Sequence, residues 1–404
     1  MSTAVSDMSP VSTEIRLRDG LGYASKVFVA VWFCWALLGL LGVLLIPAGG
    51  ALGVPGLPAE PLTHGWHNFF LAGNRGDALW YQRIGDSGYG VDDGSAAFFP
   101  LYPFAIHILS SLPGISPLMA ANVIAQGSYF GALIVLYALT MREFSDSGEQ
   151  KGARGLQGKE VAQRATRYLA VFPTAFFFLA PLTEGPFLLL SLLTFWYVRR
   201  GQWWQAAVFA GLATLTRSVG LMLVAALVAE ALIQRRSSIW QLPARLAACT
   251  APVVGLVLYG LYWANLNGNP FQPLDAQANW QREETWPPVT VWNALEHAWR
   301  FQSYWLVDLL VVAIVVVAIG AGVRILPLSY LFYSVASVLL PLVEPFPARP
   351  LLSMPRFVAV IFPAFWVIAV YVERRRLPDP LVMGVFSGGF VLLGILYMNH
   401  HAIF

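Results

Sequence analysis

Charged residues are scarce in this sequence. Asp, Glu, Lys and Arg make up only 12% of its 404 residues, whereas 57% are hydrophobic and the mean hydropathy is +0.61. Because a soluble globular domain carries about 25% charged residues, this composition excludes an ordinary soluble fold. The sequence therefore predicts an all-α, polytopic membrane protein, and we expect no nucleic-acid partner for it.

Several other signals are missing as well. The chain has two cysteines, Cys34 and Cys249, and both fall inside apolar segments, so we expect no disulfide framework. The motifs GxxxxGK[ST] and GxGxxG after a strand are absent, which leaves no soluble phosphate cradle. We also expect no cleavable signal peptide, because residues 1–24 are polar and the first apolar run is long enough to remain a span.

The sequence does contain a series of apolar segments. They predict about eleven transmembrane helices, at residues 25–47, 117–141, 164–180, 185–199, 203–217, 218–234, 243–265, 304–322, 325–343, 357–373 and 380–398. One further apolar piece, Phe98–Leu112, is shorter. As a helix it would extend roughly 22 Å, against a hydrocarbon core of about 30 Å.

The distribution of Lys and Arg indicates whether Phe98–Leu112 crosses the membrane. If it does not cross and the N-terminus is cytoplasmic, 18 of the 25 basic residues lie on the cytoplasmic side and 7 lie outside. If it does cross, the numbers become 8 inside and 17 outside. The positive-inside rule favours the first arrangement, so Phe98–Leu112 is predicted to be a juxtamembrane helix at the outer face.

This topology defines the parts of the chain. The predicted parts are a cytoplasmic N-terminal segment (1–24), one transmembrane domain (25–398), a first outer loop (48–116), a cytoplasmic loop (143–163), a later outer loop (266–303) and an outer C-terminal tail (399–404). We expect His400 and His401 to belong to a frayed tail.

The first outer loop holds the best candidate for a catalytic base. Asp77 follows the first span beside Trp80 and Tyr81, and a carboxylate in a partly dry site can accept a proton. His64 or His67 could serve instead.

Two other features of this loop are less informative. The pair Asp92-Asp93 precedes a Gly-Ser turn, so we expect it to be solvated. Asp77 and Asp86 could be imagined with His64 around a metal ion, but their spacing is not diagnostic. We therefore expect no cofactor, but the sequence does not exclude a bound divalent metal ion.

Charged residues also interrupt apolar segments on the predicted outer side. Arg217 and Arg356 stand in or beside spans, and Glu184 and Glu344 stand at span ends. Such residues cost about 2.5–3.5 kcal/mol on insertion scales and are usually paired or functional. Structural pairing, for example of Glu184 with Arg217, is one interpretation. The other is a cationic phosphate site at headgroup depth, which suits arginine.

The outer loop 266–303 combines amide, indole and guanidinium groups. Gln277, Trp280 and Arg282 are its candidates for binding a sugar, although this combination also occurs in ordinary interfacial loops.

Taken together, these residues resemble the PIG-V family, the second mannosyltransferase of GPI-anchor synthesis, and its bacterial relatives. The blocks that carry the resemblance are Asp77–Tyr81 (DALWY), Ile84, Gly88-Tyr89, Ala97–Pro103 (AFFPLYP), Phe172–Phe177 (FPTAFF), Thr183-Glu184, Phe187, Gly211–Leu221 (GLATLTRSVGL), Pro355–Phe357 and Phe362-Pro363. The similarity covers about residues 75–370. One position departs from the family pattern, because Gly76 stands where the family usually has Trp.

The resemblance implies a GT-C fold and transfer of mannose from a polyprenyl-phosphate-mannose donor, with inversion. Asp77 would be the general base, Arg217 and Arg356 would bind the carrier phosphate, and Glu184 would orient a sugar hydroxyl or pair with an arginine. The further candidates for substrate contact are Trp80, Tyr81, Tyr89, Tyr102, Gln277, Trp280 and Arg282.

The resemblance also implies a location and partners. The protein would be a multi-pass component of a bacterial cell membrane, with its active site on the outer face, among membrane lipids. Its acceptor would be a glycolipid or another glycan. Three alternatives stay open: transfer of another polyprenyl-phosphate-linked sugar or to protein hydroxyls, a lipid-linked sugar flippase or transporter, and a non-catalytic partner of another glycosyltransferase.

Overall fold

A computed structural model describes most of the chain. The described residues are 10–47, 49–50, 53–58, 60, 71–145, 158–234, 239–278, 280, 282–300, 303–375 and 377–401. His64 and His67 lie outside them. Within this part of the chain the regular structure is helical, and β-pairing is limited to two isolated bridges, Val54 with Leu57 and Phe346 with Arg349.

The α-helices are numbered in chain order. They are α1 (Pro10–Leu45), α2 (Asp77–Ser87), α3 (Leu101–Ser110), α4 (Pro117–Ser145), α5 (Gly158–Ala170), α6 (Glu184–Val198), α7 (Trp203–Thr216), α8 (Leu223–Gln234), α9 (Leu242–Cys249), α10 (Ala251–Asn267), α11 (Gln272–Ala278), α12 (Pro287–Trp299), α13 (Ser303–Gly322), α14 (Leu328–Val343), α15 (Met354–Ala359), α16 (Pro363–Arg375) and α17 (Asp379–Met398).

Helical segments long and apolar enough to cross a membrane recur along the chain. By length and composition there are five among the described residues: Arg16–Gly42, Pro117–Phe144, Ile239–Asn267, Trp305–Gly322 and Asp379–Met398. Shorter apolar helices of 10–17 residues lie between them. The protein is therefore an all-helical, polytopic membrane protein, whereas the number of eleven spans stays a prediction.

The segment 164–180 is not the continuous helix that the sequence predicted there. Helix α5 ends at Ala170, and turns with one 3-10 segment, Ala175–Phe178, lead to α6. Pro173 explains the break, because a proline disfavours helical backbone in the residue before it. Residues 172–188 are buried, so this irregular backbone lies inside the protein rather than against lipid.

Proline also divides the predicted span 357–373. Helix α15 ends at Ala359, and α16 begins at Pro363, whose ring cannot continue a helix from the preceding turn. The segment is apolar throughout, so in the sequence only the proline indicates that the helix is divided.

Two predicted polar segments are partly helical in the structure, because helices extend into polar sequence. Helix α1 begins at Pro10, so residues 10–24 of the predicted N-terminal segment are helical. Helix α4 reaches Ser145 and α5 begins at Gly158, so both ends of the predicted loop 143–163 are helical too.

The centre of the molecule is the buried helix α6, which packs against α4 and α7. A Cβ atom on Gly185 would lie 2.5 Å from the carbonyl oxygen of Ala125, so glycine allows the start of α6 to approach α4 closely. At the other end of α6, Arg199 pairs with Glu143 of α4 and Glu230 of α8 at 2.8 and 2.9 Å. Helix α6 is thus fixed at both ends.

Helix α3 is the structural counterpart of the predicted juxtamembrane helix. It has ten residues, which corresponds to about 15 Å, half of a hydrocarbon core of about 30 Å. It packs against α2 and α4. The helix is too short to cross alone, and its position at the outer face stays a prediction.

Candidate active site

Asp77 is the first residue of α2, directly after a sharp turn in the backbone. Gly76 has φ 55° and ψ −123°, a combination that side chains with a Cβ atom rarely adopt. This explains locally why glycine, and not the larger residue of the family pattern, precedes the acid here. The Asp77 side chain is 33% exposed, so its carboxylate lies at the edge of the buried core.

Arg356 joins two acids that are far apart in the sequence. Its Nη1 donates to Oδ2 of Asp77 at 2.6 Å, and its Nε donates to Oε1 of Glu184 at 2.7 Å. The backbone that carries it is held from two sides: Ser353 has a left-handed φ of 67°, and Thr174 Oγ1 donates to the Pro355 carbonyl at 2.9 Å. Arg356 is thus fixed before any substrate arrives.

Arg217 approaches Glu184 from the other side. Its Nη1 donates to Oε1 of Glu184 at 2.6 Å and to Oγ1 of Thr183 at 3.2 Å. Glu184 has no exposed surface, and its Oε2 has no hydrogen-bond partner among the described residues. Tyr81 reaches Thr183 through its hydroxyl at 3.4 Å. One glutamate oxygen therefore serves two arginines, while the other oxygen is left for a further donor.

Aromatic rings lie under both guanidinium groups. The Arg217 guanidinium carbon is 4.9 Å from the Phe357 ring centroid, and that of Arg356 is 5.1 Å from the Phe177 ring centroid. Such cation–π contacts stabilise a partly dehydrated cation. We call Asp77, Glu184, Arg217 and Arg356 the charged cluster.

An aromatic wall stands beside the charged cluster, formed by Trp80, Tyr81, Phe98, Tyr102 and Trp280. The Phe98 ring contacts Trp80, Tyr81 and Trp280 at centroid distances of 5.2 to 5.6 Å. Tyr102 is 1% exposed and donates from its hydroxyl to the Ala121 carbonyl at 2.8 Å. The structure therefore gives Tyr102 a packing position rather than a surface for substrate, whereas Nε1 of Trp280 is buried without a partner among the described residues.

Tyr89 lies on the far side of the aromatic wall. Its hydroxyl donates to the Phe98 carbonyl at 2.7 Å, and Tyr259 donates to the same carbonyl at 3.0 Å. Both tyrosines line a cavity of about 560 Å³ whose wall also includes Phe104 and Leu258. Tyr89 thus borders this apolar cavity and not the charged cluster.

Arg282 approaches this site from the loop 266–303. Its Nη1 donates to the Glu344 carbonyl at 3.0 Å, and the backbone next to it pairs with residues 343–345. Burial lowers the pKa of Arg282, and the Asp77 and Glu344 carboxylates partly oppose this effect. Arg282 makes no ion pair within 4 Å with any described carboxylate. Gln277 lies on α11, and its side chain is outside the described part of the structure.

The expectation that Asp92-Asp93 is solvated holds for Asp92, which is exposed, but not for Asp93, which is partly buried. Asp93 forms an ion pair with Arg83 and accepts from the Ser95 backbone N–H at 2.9 Å. Burial raises the pKa of Asp93, but the hydrogen bonds from Ser95 and Arg83 outweigh it, so the pKa is lower than usual. Asp92 accepts from Gln272 at 3.2 Å. These contacts connect the loop after α2 to α11.

The expectation of a frayed tail at His400 and His401 is also wrong. His400 is 4% exposed, and the His401 carbonyl accepts from Arg75 Nη1 at 2.7 Å. Among the described residues, no group of three His, Cys, Asp or Glu side chains is arranged to hold a metal ion.

This arrangement can do acid–base chemistry next to an anion. Arg356 orients the accessible carboxylate of Asp77. Two more arginines lie nearby, Arg217 at the C-terminal end of α7 and Arg282 in a loop. The family model described as Mannosyltransferase (PIG-V) matches residues 50–258, slightly more than half of the chain. The chain belongs to the PIG-V mannosyltransferase family. It is therefore a membrane mannosyltransferase.

The PIG-V match covers part of the site only. It includes Asp77, Glu184 and Arg217, whereas Arg282 and Arg356 lie beyond its limit at residue 258. No curated protein and no solved structure matches the chain. The contribution of the later residues to this PIG-V-family site therefore rests on the geometry of the structure.

Some contacts in the site had no clear signal in the sequence. Thr183 and Phe177 belong to sequence blocks that resemble the family. Their contacts with Arg217 and Arg356 form only in the folded protein. Arg75 stands only two residues before Asp77 and gave no signal beyond its charge. Its partners come from the end of the chain, which no local pattern connects to it.

Proposed function

We propose that the protein transfers mannose from a polyprenyl-phosphate-mannose donor to a lipid-linked or other glycan acceptor at the outer face of the membrane, with inversion. The observation that carries the proposal is the pairing of Asp77, accessible at the edge of the core, with Arg356 inside the charged cluster. The family membership supports mannose as the sugar.

Asp77 is placed to act as the general base. Arg356 binds Oδ2, and Oδ1 has no hydrogen-bond partner in the described part of the chain, so it can receive the proton of an acceptor hydroxyl. The acceptor oxygen then attacks C1 of mannose, and the bond from C1 to the phosphate oxygen breaks. Attack opposite to the leaving phosphate inverts the configuration. A positioned base contributes about 10²–10⁴ to such a rate.

The leaving polyprenyl phosphate carries negative charge and needs cations. Arg217 and Arg356 are both engaged with Glu184, so they are arranged around a carboxylate. Among the described residues, the Arg282 side chain donates only to a backbone carbonyl, which leaves most of its N–H donors for a phosphate. We infer that Arg282 makes the first phosphate contact and that Arg356 stabilises the developing charge.

The cavity beyond the aromatic wall suits a lipid chain. Its lining includes Phe104, which is 60% exposed, and Leu258, which is 55% exposed, from α3 and α10. In a membrane protein these side chains face acyl chains, so the cavity opens to the bilayer. A lipid-linked substrate could keep its chain here while its sugar reaches the polar side of the wall.

The decisive test of the proposed function is Asp77→Asn in the purified chain, reconstituted with a polyprenyl-phosphate-mannose and an alkyl glycoside acceptor. We expect transfer to fall about 10²–10⁴-fold. Glu296→Gln, at an exposed position of α12, is the matched control and should keep wild-type activity. Unchanged transfer in Asp77→Asn would remove this residue from the mechanism.

Orientation needs a separate test. We propose a cytoplasmic N-terminus and eleven spans, which the charge distribution supports. Single cysteines introduced at Asp86 on α2 and at Arg374 on α16 should react with a membrane-impermeant maleimide from opposite sides of the membrane. Labelling of both from the same side would contradict the proposed topology.

The same site could serve related chemistry. Another polyprenyl-phosphate-linked sugar, or a protein hydroxyl as acceptor, would need the same base and cations, and a panel of donors and acceptors distinguishes these cases. A flippase is disfavoured because the chain belongs to a family of enzymes. Activity of the purified chain alone also tests the alternative of a non-catalytic partner.

A further inference from the structure

We propose that residues 397–401 form a strut that positions both members of the Asp77–Arg356 pair, with Arg75 and Tyr397 as positioning residues for transfer. This inference rests on the proposed role of Asp77. The strut lies outside the part of the chain that the family model matches.

Arg75 connects the strut to the base. Its Nη1 donates to the His401 carbonyl at 2.7 Å and to the Tyr397 carbonyl at 3.3 Å, and its guanidinium carbon lies 5.3 Å from the Tyr397 ring centroid. The carbonyl of Arg75 accepts from the Ala78 N–H at 3.1 Å in the first turn of α2. Arg75 therefore binds the strut through its side chain and stabilises the first turn of α2 through its backbone carbonyl.

Tyr397 connects the strut to the other member of the pair. Its ring centroid is 5.2 Å from those of Phe176 and Phe177. Phe177 in turn lies under the guanidinium of Arg356, at 5.1 Å. The ring of Tyr397 thus supports the surface on which Arg356 rests.

The strut is itself held by the segment after α1. The Gly49 N–H donates to the Asn399 carbonyl at 2.7 Å, and His401 Nε2 lies 3.1 Å from the Pro47 carbonyl. Asn399 has no exposed surface. Residues 397–401 are thus held by hydrogen bonds from Arg75 on one side and by contacts with Pro47 and Gly49 on the other.

The consequence for the reaction is geometric. Asp77 and Arg356 are 279 positions apart in the chain, and each is supported by the same five-residue segment. Loss of one support would shift the carboxylate relative to the guanidinium, and a displacement of about 1 Å can cost about 10²-fold in rate. Loss of the support would leave the other substrate contacts nearly unchanged. The variant should therefore have a lower kcat and a similar KM.

The first measurement is amide hydrogen exchange on the full chain in detergent. We expect Arg75→Gln to speed exchange about tenfold or more in peptides that cover residues 71–78 and 395–401. Arg300→Gln, at a residue whose side chain is 67% exposed, should leave both peptides unchanged. Unaltered exchange in Arg75→Gln would show that Arg75 does not hold the strut.

The second measurement is steady-state transfer with the same donor and acceptor as above. We expect Arg75→Gln and Tyr397→Leu to lower kcat about 10- to 100-fold with KM changed less than about threefold. Arg75→Lys, which keeps a charged donor, should recover most of kcat. Phe390→Leu is the matched control for Tyr397→Leu, because Phe390 lies on the same helix and contacts Phe176 at 6.3 Å.

Three outcomes separate this inference from the proposed function. Faster exchange with unchanged kcat would overturn positioning. A drop of kcat in Phe390→Leu equal to that in Tyr397→Leu would also overturn it, since general packing would then explain both. If Asp77→Asn keeps full activity, the proposed base is wrong, while the exchange data still report whether Arg75 holds the strut.

Discussion

Arg356 donates to Asp77 and Glu184 at once, at 2.6 and 2.7 Å, so a single guanidinium joins an accessible carboxylate to a fully buried one. A planar fork can hold two acids at fixed angles, which the point charge of a lysine cannot do. The orientation of the base is therefore set by a residue whose own position is set by the core.

Removal of the buried carboxylate should destabilise the protein. Glu184 is fully buried and is the carboxylate shared by Arg217 and Arg356. In Glu184→Gln both arginines lose this charged partner. Breaking a buried pair on one side costs about 3–5 kcal/mol, so we expect a clearly lower Tm in detergent. Glu296→Gln, with 46% of the side chain exposed, is the control. Equal melting of both variants would contradict the role of Glu184 as a buried anchor.

Substitution of the glycine before the base should strain the backbone. At φ 55° and ψ −123°, Gly76→Ala would cost about 1–3 kcal/mol and shift Asp77 away from Arg356. Thermal unfolding and transfer assays measure both effects. Gly127→Ala is the matched control, because a Cβ atom there meets no atom within 4 Å and lies inside a helix, where alanine is favoured. A Gly76→Ala variant as stable and active as the parent would show that this turn is not constrained.

Loss of the loop arginine should weaken donor binding. Arg282→Gln removes the guanidinium that has no carboxylate partner among the described residues. Since a hydrogen bond to a charged group contributes about 1.5–3 kcal/mol, we expect KM for the donor to rise about 10- to 100-fold. The KM for the acceptor should stay within about twofold, and Arg300→Gln should alter neither. A rise confined to the acceptor KM would assign Arg282 to the other substrate.

Acid should loosen the strut. Burial, together with the nearby Arg75 guanidinium, lowers the pKa of His400 from 6.5 to about 4. The imidazole takes up a proton more readily when the strut is released, so docking is strongest above about pH 6.5 and weakens as the pH falls towards 4. Amide exchange of residues 395–401 at pH 7.5 and pH 5, corrected for intrinsic rates, measures this. The change should disappear in His400→Asn; equal protection at both pH values in the parent protein would contradict it.

The residues of the candidate site were easier to predict from the sequence than the ends of the helices. Glu184, Arg217 and Arg356 stood out because charge within apolar sequence is costly, whereas Asp77 stood out beside Trp80 and Tyr81 after the first span. The predicted topology places all four residues on one side of the membrane, and the structure brings them into one cluster. Hydropathy could not reveal that α5 ends at Ala170, because residues 171–180 are apolar and resemble a continuation of the helix.

Long-range contacts explain the remaining misses. His400 and His401 carry no local signal for order, and their segment is held by hydrogen bonds from Arg75 and Gly49, more than 300 residues earlier. Asp93 appeared to be one of two equivalent loop acids, but Arg83 on the preceding helix binds it specifically. Sequence patterns of short range cannot distinguish such a partnered acid from a free one.

Helix α7 has 14 residues and is therefore about 21 Å long, while Trp204 and Val208 on it are more than half exposed. With α7 as one of the predicted spans, this length is a hydrophobic mismatch with a core of about 30 Å, and lipids next to a short helix respond by thinning. The leaflet beside α7 should thus dip towards Arg217 at the end of the helix. A carrier lipid that diffuses into this depression would present its phosphate at the depth of the reaction without leaving the bilayer.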